Sequence, residues 1–306
     1  MSVSADLGHA ARWAERRERG SLALLRLMAR FSLRVGRRPG RLVLYVITAY
    51  YFLFAPRARR ASRGYLTRAL GRRPRPSERF RHVLAFATTI HDRVYLLSER
   101  FDPFDLEIRG EALVRELLAR GRGGVLLFGA HLGSFEITRA IGRRAAIPVV
   151  MAAHTRNARK INAALAAINP KAATGVVPVG EDPLALLEVE RLLAQGVSVG
   201  ILADRTPRTQ ASETVTFLGA PARFPTGPFR AAAVLGRPVL LMVGLYLGAN
   251  RYRVVFEPLA DFTDVPRAAR AAAVRAAIQR YAAALERHCR EQPYNWFNFY
   301  DFWAQA

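Results

Sequence analysis

Residues 123–142 read GGVLLFGAHLGSFEITRAIG, and the character of the chain changes three times within them. GVLLFG is apolar without alternation and is bounded by glycine, the pattern of a strand buried on both faces. His131 stands just past the break. Gly133 and Ser134 then supply a turn and an N-cap. This predicts a helix over 134–144 with Glu136 in its first turn, where the helix dipole favours a carboxylate. A strand at 124–129 feeding a helix through a polar turn is the unit from which layered α/β folds are built.

The unit recurs downstream. Apolar runs at 148–153 (PVVMAA), 175–179 (GVVPV) and 197–203 (VSVGILA) read as strands, with helices between them at about 158–167 and 182–195. TGPFRAAAVLG, residues 226–236, reads as a further helix. PVLLMVGLYLG and RYRVVFEP then read as a hairpin, hence antiparallel. A long helix over about 266–290 and an aromatic tail, PYNWFNFYDFW, follow. Upstream, residues 75–100 read as a helix leading into this region. The predicted class is α/β: a largely parallel central sheet flanked by helices, with membrane-associating helices at the N-terminus and a helix near the C-terminus. No internal repeat is evident.

With 51% apolar residues among 306, the chain has enough material for a sizeable core, which excludes a disordered class. The net charge of +23 comes almost wholly from arginine, Lys160 and Lys171 being the only lysines. Such a surface attracts polyanions: nucleic acid, anionic headgroups, phosphorylated substrates or an acidic carrier protein. Cys289 is the single cysteine, so an intrachain disulfide and a thiolate metal cluster are both excluded. Residues 1–20 are polar and do not read as a cleavable signal.

Residues 21–56 differ from the rest. Arg26, Arg30 and Arg34 recur at helical spacing, and LVLYVITAYYFLFA, residues 42–55, follows. As a helix this apolar run measures about 21 Å, short of a hydrocarbon core of about 30 Å. Arg37, Arg38 and Arg41 precede it; Arg57, Arg59 and Arg60 follow. A spanning helix carries its positive excess on one side, so the run reads as a buried core helix or as a segment lying on or dipping into one leaflet. Tyr45, Tyr50 and Tyr51 suit an interface. On the second reading residues 1–60 form a membrane-associating region and 61–306 the main domain.

The His131–Glu136 pair has a chemical reading and a plain one. At the carboxyl end of a strand, where ligands gather in α/β sheets, a carboxylate one turn beyond an imidazole would orient it as a base. The plain reading is a hydrogen-bonded loop pair. Positions i and i+5 lie about 140° apart on a regular helix, so the two would not chelate one metal as an i, i+4 pair does. Ser134 lacks the glycine flanks of a nucleophile elbow.

His131-Leu-Gly-Ser-Phe-Glu136 resembles the H-x4-[D/E] signature of the lysophospholipid acyltransferase superfamily, and most closely its lipid A biosynthesis (lauroyl/myristoyl) branch. Trp13 with Glu18-Arg19-Gly20-Ser21 resembles the N-terminal signature of a bacterial subgroup. ILADRTP, residues 201–207, is similar to the family's strand-end Asp segment, and TFLGAPARFPTGPFRAA, residues 216–232, to its G-x-P stretch. This chain departs from the family at Asp204-Arg205, where Asp-Gln is usual. It departs again at AAHTRNARKIN, where the family has a Tyr-Arg-Pro turn, and in the tail, which lacks a basic W-x-x-x-R ending. These departures bear on the acceptor more than on the chemistry.

The resemblance implies an acyltransferase on the cytoplasmic face of the inner membrane, peripheral or monotopic. It would move a fatty acyl group from a thioester, on acyl carrier protein or coenzyme A, to a hydroxyl or amine of a lipid or glycolipid-type acceptor. His131 would be the general base and Glu136 its orienting carboxylate. Asp204, Arg156, Arg223, His154, Gly133 and Ser134 would line the substrate site, with backbone N–H groups near Gly133 or an arginine stabilising the oxyanion. No metal or resident cofactor is implied. Anionic lipid of the inner membrane suits the basic surface. Two other readings remain: a non-catalytic basic protein on anionic membrane or nucleic acid, though no nucleic-acid-binding module is recognisable, and a thioester hydrolase using water as acceptor.

Overall fold

The computed structural model describes residues 30–121, 123–137, 147–154, 176–179, 183–206 and 210–305. The predicted helix at 158–167, the 134–144 helix beyond residue 137, the signature around Trp13, and Arg156 lie outside the described residues.

Strands β1 (Asp105–Arg109), β2 (Leu126–Gly129), β3 (Val149–His154), β4 (Val176–Val179), β5 (Ser198–Leu202), β8 (Pro238–Gly248) and β9 (Arg251–Asp261) form one sheet in the order β1-β9-β8-β2-β5-β3-β4. Only the β8–β9 pairing is antiparallel, as the hairpin reading required; the other neighbours in the sheet run parallel. Its central strands β2, β5 and β8 are buried on both sides over most of their length, which explains why they do not alternate. Leu126 and Phe128 of β2 enter one core with Leu241 and Val243 of β8, while Val125 and Leu127 enter the other with Leu240 and Met242.

Helices α6 (Gly227–Leu235) and α7 (Arg270–Glu291) cover the first face together with α2 (Pro56–Leu70); α3 (Pro76–Leu97) and α4 (Glu111–Ala119) cover the second. On the first face α7 contributes Val274, Ile278, Tyr281 and Leu285, all buried, at the 3.6-residue period its sequence announces. A further helix, α5 (Pro183–Ala194), precedes β5.

The G-x-P stretch holds an antiparallel hairpin, β6 (Ser212–Phe217) and β7 (Ala220–Pro225), with no strand expected there from the sequence. Its two-residue turn needs positive φ at both positions, which Leu218 (50°) and Gly219 (77°) supply. Leu218 is held in that unfavourable conformation by its N–H, which donates to the Glu286 carboxylate of α7 at 2.6 Å.

Residues 42–54 lie in α1 (Arg37–Phe54) with Ala55 as its C-cap, and the buried-core reading does not hold for them. Only Gly40, Leu44 and Thr48 of α1 are buried, as a narrow stripe. Leu42, Val46, Leu53 and Phe54 are each more than 60% exposed, and Tyr45, Tyr50 and Tyr51 are exposed as well. None of the described helices is long and apolar enough to cross a membrane. Pro56 starts α2 at a position where its missing N–H costs nothing.

The inner end of α1 is pinned by charge. Arg37 makes a bidentate pair with the buried Asp92 of α3, both contacts at 2.7 Å, and Tyr252 of β9 donates to the same carboxylate at 2.7 Å. Arg37 and Arg41 both donate to the carbonyl of Ala249, in the β8–β9 turn. This places the start of α1 at the carboxyl edge of β8, and the strand directions make that the edge at which β2 ends.

Candidate active site

β2 and β5 are neighbours in parallel, with Gly129 opposite Leu202. That offset of 73 residues persists beyond both strand ends and brings His131 against Asp204. Nδ1 of His131 lies 2.8 Å from Oδ1 of Asp204, and the backbone N–H of His131 donates to Oδ2 at 3.1 Å. An ionised carboxylate only accepts, so Nδ1 carries the proton and Nε2 is left as the basic nitrogen.

Asp204 is fully buried. Burial alone would raise its carboxyl. His131, Arg205 and the Asn298 amide outweigh burial and hold it well below the usual carboxylate range. The imidazole is lowered from its ordinary value, first by burial and then by the charge of Arg205, against the opposing pull of Asp204. Both shifts favour a neutral imidazole beside a charged carboxylate, which is the resting state a general base needs.

Glu136 does not hold the imidazole. Its Oε1 pairs with Arg93 of α3 at 2.7 Å, and its Oε2 accepts from Ser134 Oγ at 3.3 Å. The expected Glu136–His131 contact is corrected accordingly. Past Ile137 the span of the predicted helix lies outside the described residues, and residues 136–137 form a turn. The strand register wins over sequence proximity, because it fixes Asp204 from the adjacent strand before the chain has turned.

Gly133 has φ of +74°, and a Cβ there would stand 1.9 Å from the carbonyl oxygen of Gly244 in β8. Only glycine fits, and Gly244 is equally constrained by the carbonyl of Ser134, 2.2 Å from where its own Cβ would be. The two backbones lock together: Ser134 N–H donates to Gly244 O at 2.7 Å, and Gly133 N–H to Asn295 O at 2.8 Å. Both N–H groups are thus engaged in the frame, which counts against them as oxyanion donors.

Of the remaining expected residues, the two that are described, Arg223 and His154, stand on strands other than β2 and β5. Arg223 lies on β7 with its Nε donating to Ser212 Oγ at 2.8 Å, and its carbonyl accepts from Thr206, two residues past Asp204. His154 ends β3, which β5 separates from β2, and nothing is described of its side chain. Among the described residues no group of three or more His, Cys, Asp or Glu side chains is gathered as for a metal ion.

The aromatic tail forms a wall of the site. Phe297 N–H donates to His131 O at 2.7 Å, and the Asn298 amide donates to Asp204 Oδ2 at 2.8 Å. Arg205 Nε donates to Asn298 Oδ1 at 2.7 Å. Trp296 packs against Tyr65, Phe217 and Phe302 in the core. Sequence reasoning missed Asn298, Arg205 and Arg93 as site residues. Two asparagines buried within an aromatic run were the available signal, since a buried amide needs partners.

A family model described as bacterial lipid A biosynthesis acyltransferase matches residues 86–305, a span that begins within α3 and includes every strand of the sheet. No curated protein sequence matches the chain.

Proposed function

The chain belongs to the bacterial lipid A biosynthesis acyltransferase family and is an acyltransferase of the lipid type; from that premise we propose that His131 is the general base of acyl transfer and Asp204 the carboxylate that orients it. The donor is a fatty acyl thioester on acyl carrier protein or coenzyme A, and the acceptor a hydroxyl or amine of a lipid or glycolipid-type molecule. A hydroxyl is a weak nucleophile at neutral pH. Nε2 of His131 takes its proton as the oxygen attacks the thioester carbonyl. The Asp204 carboxylate stabilises the imidazolium, which returns the proton as the thiolate leaves.

The observation that carries this reading is the 2.8 Å contact between Nδ1 and a buried, ionised carboxylate. Glu136 is the second carboxylate of the site. It holds the Arg93 guanidinium near enough for its charge to act on His131, and Arg93 is our candidate for contact with an anionic group of a substrate. Arg156, His154 and Arg223 remain candidates for the flanks of the same cleft.

We further propose attachment to the cytoplasmic face of the inner membrane through α1, with residues 1–60 facing the membrane and 61–306 forming the catalytic domain. Between residues 30 and 77 the chain has 13 arginines and no acidic residue, alongside the exposed apolar face of α1. Basic and apolar groups together match an anionic lipid surface better than nucleic acid, which lacks an apolar phase. The start of α1 lies at the sheet edge that holds His131, so a lipid acceptor leaving the bilayer would have a short path to the base.

Intact-lipid mass spectrometry of cells with the gene, without it, and with His131→Ala tests the assignment. The mass gained gives the acyl group, and its owner gives the acceptor. A folded His131→Ala protein that still transfers would remove the proposed base. Release of free fatty acid with no acceptor present would point to hydrolysis instead.

A further inference from the structure

We propose that Asn298, in the C-terminal tail, is a positioning residue of the transfer reaction: its carboxamide, oriented by Arg205, locks the Asp204 carboxylate against His131. The proposal rests on the reading of His131 as base, and nothing in the family match identifies Asn298.

The orientation of the amide follows from the chemistry of its neighbours. Asp204 only accepts hydrogen bonds and Arg205 only donates them. With Nδ2 2.8 Å from Asp204 Oδ2 and Oδ1 2.7 Å from Arg205 Nε, the amide has one arrangement that works. Flipping it would set oxygen against oxygen and N–H against N–H. Donation therefore runs from guanidinium through amide to the carboxylate, which accepts from the imidazole on its other side.

The tail is held tightly enough to serve as a frame. Trp296 O accepts from His82 Nε2 at 2.8 Å, and Arg205 reaches Phe297 O at 3.3 Å. Asn295 clamps Tyr246 of β8 by a paired contact, accepting from its N–H at 2.7 Å and donating to its carbonyl at 3.0 Å. Asn298 itself is 1% exposed. Without its amide, Oδ2 of Asp204 would keep only the longer bond from His131 N–H, and the carboxylate would be free to rotate away from Nδ1.

An amide between the two charges has a further effect. A guanidinium paired directly with Asp204 would compete with the imidazolium for the carboxylate. The interposed amide passes on the dipole and cannot itself titrate, so the relay keeps one charge state while His131 cycles. The charged and titratable groups facing it are His131, Asp204 and Arg205 themselves, Arg93 from α3, Tyr281 and Cys289 from α7, and Tyr300 from the tail.

Two variants of the full-length protein test the proposal, read by ¹⁵N-imidazole NMR of His131 across pH and by consumption of lauroyl-coenzyme A with a bacterial lipid extract. Asn298→Ala should lower kcat about 100-fold, the scale of an ångström misplacement, with KM within about threefold, and should convert the Nδ1–H signature of His131 into a mixture of tautomers. Asn298→Asp is nearly isosteric and protects against mere misfolding. When the new carboxyl is protonated it donates to Asp204 as the amide did; when ionised it repels Asp204. Its activity and Nδ1–H signature should therefore recover as pH falls and be lost as pH rises. Wild-type pH dependence and an unchanged tautomer in both variants would overturn the role of Asn298. An active His131→Ala protein, together with Asn298 variants of the otherwise wild-type chain that still alter the His131 signal, would instead overturn the base assignment and leave the positioning contact standing.

Discussion

His131 and Asp204 are register partners: the offset that sets Gly129 opposite Leu202 in the parallel β2–β5 pairing also brings imidazole Nδ1 to 2.8 Å from carboxylate Oδ1. The proposed catalytic pair is thus an extension of the sheet, two residues beyond each strand end. Side chains placed this way inherit the rigidity of the core beneath them.

Asp204→Asn should reduce transfer by roughly 10⁴-fold, the scale seen when an orienting carboxylate is neutralised. The amide can present its N–H to Nδ1 and trap the tautomer with its proton on Nε2. Single-turnover acyl transfer measures the loss. A loss below tenfold would show that His131 needs no carboxylate at this position.

The free protein's kcat/KM should be flat through neutrality and decline only below the ordinary histidine value of 6.5, because burial and Arg205 lower the imidazole. Arg205→Met removes a positive charge and should move the decline toward higher pH. A profile that already falls above pH 7 would contradict the assignment.

Acid stability should depend on His82. It is fully buried, its Nε2 donates to Trp296 O and its Nδ1 accepts from Ser62 Oγ, and it is pushed down to about 4 by burial. Its folded value lies below its unfolded one, so stability is complete above pH 6.5 and is lost as pH falls through 6.5 toward 4. The full effect is about 3 kcal/mol for a shift of this size. Urea unfolding at pH 7 and pH 4.5 should show that slope, and His82→Gln should flatten it.

Breaking the Arg37–Asp92 pair should be costly. Asp92 is fully buried and Arg37 nearly so, and removing one partner strands the other charge. Asp92→Asn should cost about 3–5 kcal/mol and loosen α1, giving protease cleavage within residues 37–54. Equal unfolding midpoints would mean that the pair contributes only to placement.

Leu42, Val46 and Leu53 expose 61–71% of their surface on α1. Changing all three to Ser should leave folding stability within about 1 kcal/mol, as for other exposed positions. Each side chain entering lipid contributes about 1.5–3 kcal/mol, so binding to vesicles of phosphatidylglycerol and phosphatidylethanolamine should weaken at least 100-fold, by roughly the same conversion. Unchanged binding, with the fold intact, would rule α1 out as the docking element.

Six of the sheet's seven strands, the β8–β9 hairpin among them, and the long C-terminal helix were legible in the chain because buried strands and amphipathic helices leave local periodicities; the half-exposed β1 was not. His131 was legible too, through its place after a strand and its resemblance to a known motif. The β6–β7 hairpin was not, since its strands are half polar and joined by a turn with Leu at positive φ. The partner of His131 was misread for a related reason. Glu136 is near in sequence, whereas Asp204 is near only once β5 has crossed over to lie beside β2.

Local pattern therefore carried the elements, the place of His131 at a strand end and the apolar character of residues 42–55. Strand order settled which carboxylate meets the imidazole, and packing settled that α1 keeps an apolar face exposed and that the tail delivers Asn298 to the site. Periodicity encodes which side of an element is apolar, but contacts between residues some 70 to 90 positions apart depend on how the layers assemble. No local signal records that assembly.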